Sequence, residues 1–236
     1  MESFVTYKLD NGIATITMDD GKANAIGLRM LEELNAALDQ AEADKAIVII
    51  AGRPGMFSAG FDLKVFKGDP ADQMRMLTGG ARLSERLLDF PHPVIAACTG
   101  HAIAMGAFLL MSADLRIGVD KGARFHVNEI LIGMTVPHFA LEVCKQRLSP
   151  AYLHEATVTA QPYAPQAAHV AGFLDCIVPA EELGASVKEQ AERMKTVIPH
   201  SFTATKRRLR KSTMAAIAVA IEADIEDWAS LGKAGS

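Results

Sequence analysis

Residues 91–119 read PHPVIAACTGHAIAMGAFLLMSADLRIGV and carry the clearest fold signal in the chain. Residues 94–97 form a short apolar run after a proline, which predicts a buried strand. Residues 102–111 are apolar on every side, which predicts a helix at the centre of the protein. Residues 115–119 predict the next strand. A buried strand, a buried helix and a second strand in succession are typical of an α/β domain.

The same alternation of strands and helices extends toward the N-terminus. Two alternating runs flank Asn11-Gly12, a pair that favours a β-hairpin turn. Leucines at helical spacing and a short β-branched run follow. The predicted elements are strands at 4–9, 13–18 and 47–50 and helices at 28–41 and 77–90.

Helical patterns dominate after Glu142. We predict two long helices over residues 181–197 and 205–228, with Pro199 between them. The chain then divides into a core of residues 1–198 and a helical C-terminal region of residues 199–236.

Composition excludes several classes of protein. The 236 residues suit one large domain, half of them are apolar, and the net charge is −4. That balance argues against a general nucleic-acid-binding protein, which needs a basic face. Cys98, Cys144 and Cys176 are odd in number and widely spaced, so we expect buried, reduced thiols rather than a disulfide framework or a zinc site.

Residues 94–113 contain no Asp, Glu, Lys or Arg and are long enough to span a bilayer. Small and polar residues interrupt the stretch, so we interpret it as a strand, a tight loop and a helix. The N-terminus lacks the pattern of a signal or transit peptide. We therefore expect a soluble cytoplasmic protein with no membrane partner.

Two loops combine small residues with a predicted strand before them and a helix after them. They are residues 57–63 (FSAGFDL) and residues 100–106 (GHAIAMG). Small residues let the backbone approach a ligand closely, and free N–H groups at a helix start can bind an oxyanion. Tight packing alone also favours small residues in such turns.

These loops, the segment 123–137 (ARFHVNEILIGMTVP), KANAI at 22–26 and DCIV at 175–178 together resemble the enoyl-CoA hydratase/isomerase (crotonase) superfamily. The segments occur in the family's order and span most of the chain. The resemblance implies an α/β crotonase-like spiral of ββα units whose helical C-terminal region makes trimer contacts. It also implies an acyl-CoA substrate, a homotrimer or a dimer of trimers, and no metal or further cofactor.

The resemblance implies that the backbone N–H groups of Phe61 and Met105 form an oxyanion hole, which stabilises a thioester enolate. Ala104-Met105 stands where many relatives carry Gly-Gly. We expect the donors to be retained if φ stays negative, in a narrower hole. The implied substrate-contacting residues are Lys22, Ala23, Ala25, Ala59, Gly60, Asp62, Leu63, Gly106 and Phe108. By residue type alone, Asp62 is a cap for the following helix and Asp114 is structural.

Glu129 matches one of the family's two catalytic glutamates, and Phe108 stands where hydratases carry the other. Apolar flanks are expected to raise the pKa of Glu129 and suit it as a base. Without the resemblance, a carboxylate at a helix N-terminus is the simpler interpretation.

The predicted activity is Δ3–Δ2-enoyl-CoA isomerisation, within fatty acid metabolism, with Glu129 as the sole acid–base residue. One alternative is a hydratase, a lyase, that uses an unusual second acid. The nearby candidates for that acid are His101, His126, His138 and Glu142. Another alternative is a catalytically impaired protein that binds CoA or RNA.

A basic run and a helical segment complete the sequence-based predictions. The basic run at residues 206–211 is taken as a solvated helix face, ahead of contact with CoA phosphates or RNA. Residues 69–88 are expected to line the acyl pocket.

Overall fold

A β-hairpin begins the fold and provides the edge on which the main sheet grows. In the computed structural model, which describes residues 3–234 (the last four by backbone only), β1 (Val5–Asp10) pairs antiparallel with β2 (Ile13–Met18). Asn11 and Gly12 have φ of 47° and 77°, as a two-residue hairpin turn requires. The predicted hairpin is therefore confirmed. The terminal residues of the two predicted chain regions, 1, 2, 235 and 236, lie outside the described part.

Two sheets share the remaining strands. The larger sheet continues from β2 through β3 (Ile47–Ala51), β5 (Val94–Cys98), β7 (Leu115–Val119) and β9 (Cys176–Val178), all parallel. The smaller sheet holds β4 (Gly55–Ser58), β6 (Gly100–Ile103) and β8 (Phe125–His126), also parallel. Each turn of the chain adds one strand to each sheet, which confirms the α/β spiral of ββα units.

Ten helices of residues 3–234 surround or fill this spiral. They are α1 (Leu28–Ala43), α2 (Leu63–Phe66), α3 (Pro70–Asp89), α4 (Met105–Ser112), α5 (His138–Arg147), α6 (Pro150–Val158), α7 (Pro165–Ala171), α8 (Leu183–Met194), α9 (Pro199–Leu209) and α10 (Lys211–Ala234). A 3₁₀ turn spans Glu129–Ile132. Every residue of α4 is buried, as its uniform apolarity predicts.

The structure corrects several predicted boundaries. The helix predicted over 102–111 begins only at Met105, because the preceding residues form β6. α3 begins at Pro70 instead of residue 77, and the carboxylate of Asp69 caps it by accepting from the N–H of Ala71. The single helix predicted over 205–228 is two helices, interrupted at Arg210.

The basic run at residues 206–211 is a solvated face only in part: Arg207, Arg208 and Lys211 are exposed as predicted, but two of its residues are not. Lys206 and Arg210 are buried, and their side chains lie 2.9 Å and 3.0 Å from the two carboxylate oxygens of Asp114. Both also donate to backbone carbonyls at the C-terminal end of α3. These contacts fasten α9 and the start of α10 to the core, and they confirm the structural role predicted for Asp114.

The three cysteines are not all buried as predicted. Cys98 and Cys144 are buried, but Cys176 is exposed because β9 is the edge strand of the large sheet. Across residues 3–234, no helix combines the length and apolarity needed to cross a membrane.

Asp114 should be a large contributor to stability. Asp114→Ala leaves Lys206 and Arg210 buried without their carboxylate, so we expect the free energy of unfolding to fall by about 3–5 kcal/mol. Asp89→Asn is the control, because its pair with Arg207 is exposed and such pairs contribute about 0–1 kcal/mol. Denaturant unfolding measures both. Equal losses in the two variants would contradict the assignment.

Candidate active site

A polar segment between β2 and α1 forms the floor of the site. The carboxylate of Asp20 accepts from the N–H groups of Lys22, Asn24 and Ala25 at 2.8–3.1 Å. Asn24 is fully buried, has φ of +49°, and donates its side-chain amide to the carbonyls of Met18 and Phe57. Neither Asp20 nor Asn24 was predicted from the sequence to belong to the site. The available signal was a short Asp/Asn turn, because Asn tolerates positive φ better than most residues.

The first predicted loop leaves the backbone N–H of Phe61 free between two hydrogen-bonded neighbours. The hydroxyl of Ser58 donates to the carbonyl of Asn24 at 2.7 Å and accepts from the N–H of Gly60 at 3.2 Å. The N–H of Asp62 donates to the carbonyl of Ile26. Between these anchored neighbours, the N–H of Phe61 meets no acceptor within residues 3–234. The loop therefore presents a donor whose flanks are fixed.

The second predicted loop supplies a similar donor at the start of α4. Ala104 donates its N–H to the carbonyl of His126 at 2.8 Å and has φ of +50° and ψ of −125°. Met105 is the first residue of α4, and no acceptor in the described part of the chain meets its N–H. The condition that φ stays negative holds at Met105 but is wrong at Ala104, because one residue must turn the chain from β6 into α4.

The two loops touch at Gly60, which has φ of +96°. A Cβ atom on Gly60 would lie 2.9 Å from the Cβ of Ala104 and 3.4 Å from the nitrogen of Met105. Because β4 and β6 pair in parallel, the two turns leave the sheet at the same end. The free donors of Phe61 and Met105 therefore lie close together, which suits them to bind one oxygen atom.

The other predicted contact residues differ in exposure. Lys22 and Leu63 are exposed, Ala23, Ala25, Ala59 and Asp62 are partly exposed, and Gly60, Gly106 and Phe108 are buried. The N–H of Ala59 donates to the carbonyl of Ala23 at 3.0 Å, which joins the first two segments. The carboxylate of Asp62 caps α2 by accepting from the N–H of Lys64, as its residue type predicts.

Glu129 is a buried carboxylate at the start of the 3₁₀ turn that follows β8. Glu129 is 5% exposed, and its Oε2 atom has no hydrogen-bond partner within residues 3–234. Burial raises the pKa of Glu129 to about 7, although backbone N–H groups lower it in part. The direction agrees with the prediction. Of the apolar flanks to which it was attributed, Val127 is buried, whereas Ile130 and Leu131 are exposed.

Phe108 and α5 lie on the inner side of the site. The buried ring of Phe108 meets the ring of Phe139 edge-on, with centroids 6.0 Å apart. Cys144 lies five residues after Phe139 on α5; burial raises the pKa of its thiol, and the charge of Glu129 raises it further. The place of a second acid on α4 is thus filled by an aromatic ring.

The four candidate second acids have different surroundings. The ring of His126 bonds a backbone carbonyl at 2.8 Å, and Glu142 pairs with a lysine three residues later at 2.6 Å. His101 lies on β6 and has no such pairing within the described residues. His138 lies 3.2 Å from the carboxylate of Asp227 and lines the cavity described next.

A cavity of about 820 Å³ lies between α3, the segment after the 3₁₀ turn and α10. Its lining is mainly apolar and includes Met74 and Leu77 of α3, Val136, and Trp228 of α10. Asp224 and Asp227 of α10 supply carboxylates at its wall. The residues of α3 fall within the segment 69–88 that was expected to line an acyl pocket.

The chain is similar to known proteins in both sequence and structure. The sequence pattern described as enoyl-CoA hydratase/isomerase matches residues 8–234. A probable enoyl-CoA hydratase of Bacillus subtilis (strain 168) is 37% identical over 141 residues, which are 58% of this chain and 54% of that protein.

Two solved structures extend the comparison over nearly the whole chain. An enoyl-CoA hydratase from Mycobacterium ulcerans Agy99 has 42% identity and a TM-score of 0.92, with 95% of this chain and 99% of that chain covered. The human mitochondrial delta3-delta2-enoyl-CoA isomerase has 25% identity and a TM-score of 0.91, with coverages of 97% and 91%. Both hydratases and isomerases therefore share this fold and its order of segments.

The buried carboxylate should make Glu129 costly to stability above neutral pH. The pKa of Glu129 is about 7 in the folded chain, whereas its ordinary value is 4.5. Between these pH values the folded state therefore keeps a proton that the unfolded state has lost. Stability therefore falls as pH rises from 4.5 to 7, by about 3 kcal/mol in all. Glu129→Gln has no such proton to lose. The unfolding free energy of Glu129→Gln minus that of the wild type should be about 3 kcal/mol larger at pH 8 than at pH 4.5. A gap independent of pH, measured by denaturant unfolding, would refute this.

Proposed function

The chain belongs to the enoyl-CoA hydratase/isomerase family, and from that premise we propose that it moves the double bond of a 3-enoyl-CoA thioester to the 2-position. The observation that carries the choice of isomerase is that the buried aromatic ring of Phe108 stands where the resemblance implies a second glutamate, while Glu129 keeps a buried carboxylate oxygen that has no hydrogen-bond partner within residues 3–234. A double-bond shift needs one group that removes and returns a proton. Hydration normally needs two, one to activate water and one to protonate carbon.

In the proposed reaction, the thioester oxygen accepts from the N–H groups of Phe61 and Met105. These donors stabilise the negative charge that develops when the C2 proton leaves. Glu129 takes that proton, and the C2–H electron pair forms a C1–C2 double bond while the carbonyl π pair moves onto the thioester oxygen. When the carbonyl re-forms, the C1–C2 π pair becomes the C2–C3 double bond, and the former C3–C4 π electrons take the proton back from Glu129 at C4. The carboxylate ends as it began, and the reaction is complete without net change in oxidation state.

The pKa of Glu129 supports this role. A base near neutrality is strong enough to abstract an acidified proton and still returns it readily. The rings of Phe108 and Phe139 make that side of the site apolar, which disfavours a positioned water molecule. Because the reaction is a redox-neutral proton transfer, the proposal includes no metal or redox cofactor.

The proposed substrate is an acyl-CoA thioester whose acyl chain occupies the cavity of about 820 Å³. Leu77, which lines that cavity, lies three residues before Gly80 on the same side of α3. Lys22 is exposed at the loop that resembles the family's CoA-contacting segment, and it is the proposed partner of a CoA phosphate. The proposal also includes assembly into a homotrimer or a dimer of trimers.

Hydration is the second candidate function, because one observation favours it. His138 lines the cavity and pairs with Asp227, so this pair could supply the second acid that Phe108 does not. RNA binding has no comparable support, since burial of Lys206 and Arg210 interrupts the basic run and leaves only Arg207, Arg208 and Lys211 of it exposed.

Product analysis distinguishes the two reactions. Incubated separately with 3-enoyl-CoA and 2-enoyl-CoA, the protein should convert the first into the second and add little water to the second. Phe108→Glu should add weak hydration if it folds, because it restores a second carboxyl group. His138→Ala is the matched variant for the alternative. Efficient formation of 3-hydroxyacyl-CoA by the wild type, lost in His138→Ala, would replace the isomerase proposal with hydration.

The pH profile and the Glu129→Gln variant test the proposed base. Because the reactive form is the carboxylate, kcat/KM should rise with pH to a plateau above about 7, with one limb only. Glu129→Gln should lower kcat by about 10²–10⁴-fold and leave acyl-CoA binding intact. Turnover close to that of the wild type would remove Glu129 from the mechanism.

A further inference from the structure

We propose that Gly80 is a positioning residue for the oxyanion hole, because its missing side chain leaves the space in which the side chains of Phe61 and Met105 pack. The inference rests on the proposed function, since the N–H groups of those two residues form the proposed hole. It adds a residue on α3, distant in sequence from both loops, to the set that fixes the donors.

The contacts at Gly80 leave no room for a side chain. A Cβ atom on Gly80 would lie 2.5 Å from Cε1 and 2.6 Å from Cζ of Phe61. It would also lie 3.3 Å from Cε of Met105. Carbon atoms in favourable contact are about 3.5–4.0 Å apart, so the ring of Phe61 would have to move. One backbone position thus contacts the side chains of both proposed donors.

The position of Gly80 within α3 makes a purely local explanation poor. α3 is a 20-residue helix, and Gly80 is buried inside it rather than at an end. Glycine in a helix interior lowers stability relative to alanine. The neighbouring Gly79 differs in its surroundings, since a Cβ there would meet only the side chain of Leu31, with Cδ1 at 3.0 Å. Leucine ends can rotate away, whereas an aromatic ring moves as one rigid body.

Displacement of the Phe61 ring should reach its backbone. The residues on both sides of Phe61 are anchored by hydrogen bonds from their N–H groups to Ser58 and Ile26. The peptide between them has little freedom to absorb a shift of the ring without tilting its own N–H. A donor displaced by about 1 Å can lower the rate about 100-fold. Gly80 therefore determines the direction of the Phe61 N–H group, which is present with or without the glycine.

Gly80→Ala and Gly79→Ala form a matched pair for the test, because both add one methyl group to the same helix. The first measurement is the ratio of affinities for a saturated acyl-CoA thioester and for the thioether analogue that lacks the carbonyl group. That ratio reports recognition of the carbonyl oxygen without any turnover. The second measurement is kcat, and the third is the melting temperature.

We expect Gly79→Ala to keep the affinity ratio and kcat of the wild type. Gly80→Ala should lower the melting temperature more than Gly79→Ala does, because it overpacks the Phe61 ring. At a temperature where both variants are fully folded, it should also lower the affinity ratio about tenfold and kcat about 10–100-fold. Loss of carbonyl recognition in a folded variant is a result that a merely structural glycine would not give. Gly80→Ala equal to Gly79→Ala in ratio and kcat would overturn the proposal.

A comparison of Phe61→Ala with the double variant Phe61→Ala/Gly80→Ala keeps the test decisive if Gly80→Ala alone does not fold. Once the ring is removed, adding Gly80→Ala should change the affinity ratio less than about twofold. A further tenfold loss in that background would show that Phe61 is not the target and would overturn the proposal. A wild type with no preference for the thioester would instead refute the proposed oxyanion hole, and the role of Gly80 would fall with it.

Discussion

The close approach of two backbone turns at Gly60 is the constraint on which the rest of the structure depends. Two N–H groups can serve one oxygen atom only if the turns after β4 and β6 leave the small sheet at the same end and meet there. Parallel pairing supplies the common end, and the absent side chain of Gly60 permits the contact with Ala104. The buried amide of Asn24 then fixes the first turn against the large sheet. The spiral of ββα units is the architecture that makes this meeting possible.

Several features near these turns reduce stability, and together they mark the site. Ala104 adopts a positive φ that a side chain disfavours, and Glu129 places a carboxylate oxygen in the interior without a hydrogen-bond partner among residues 3–234. The N–H groups of Phe61 and Met105 are unpaired in the same part of the chain. An unpaired N–H is ordinary at the first residue of a helix such as Met105, but the Phe61 N–H and the Glu129 oxygen have no such reason. In the proposed function, the substrate supplies the missing partners.

The sequence predicted the parts of this protein that local pattern determines. The hairpin, β3, β5, β7 and the buried α4 follow from apolar periodicity and one Asn-Gly turn. The small sheet was missed because its strands have two to four residues, too few to show a period. Lys206 and Arg210 were misjudged because their burial depends on Asp114, about 90 residues earlier in the chain. The resemblance of three short segments located the candidate donors and Glu129, but the packing of Phe61 on Gly80 required the three-dimensional arrangement.

The C-terminal helix belongs to the site of its own chain, whatever further contacts it makes. The carboxylate of Asp224 on α10 accepts from the N–H groups of His138 and Phe139 at 2.7 Å and 2.9 Å, and so caps α5. α5 in turn holds Phe139 against Phe108 and carries the buried Cys144, whose thiol pKa is raised by burial and by the charge of Glu129. α10 also forms one wall of the large cavity. The dry surroundings of Glu129, and with them the proposed preference for proton transfer over hydration, therefore depend on residues from both predicted regions of the chain.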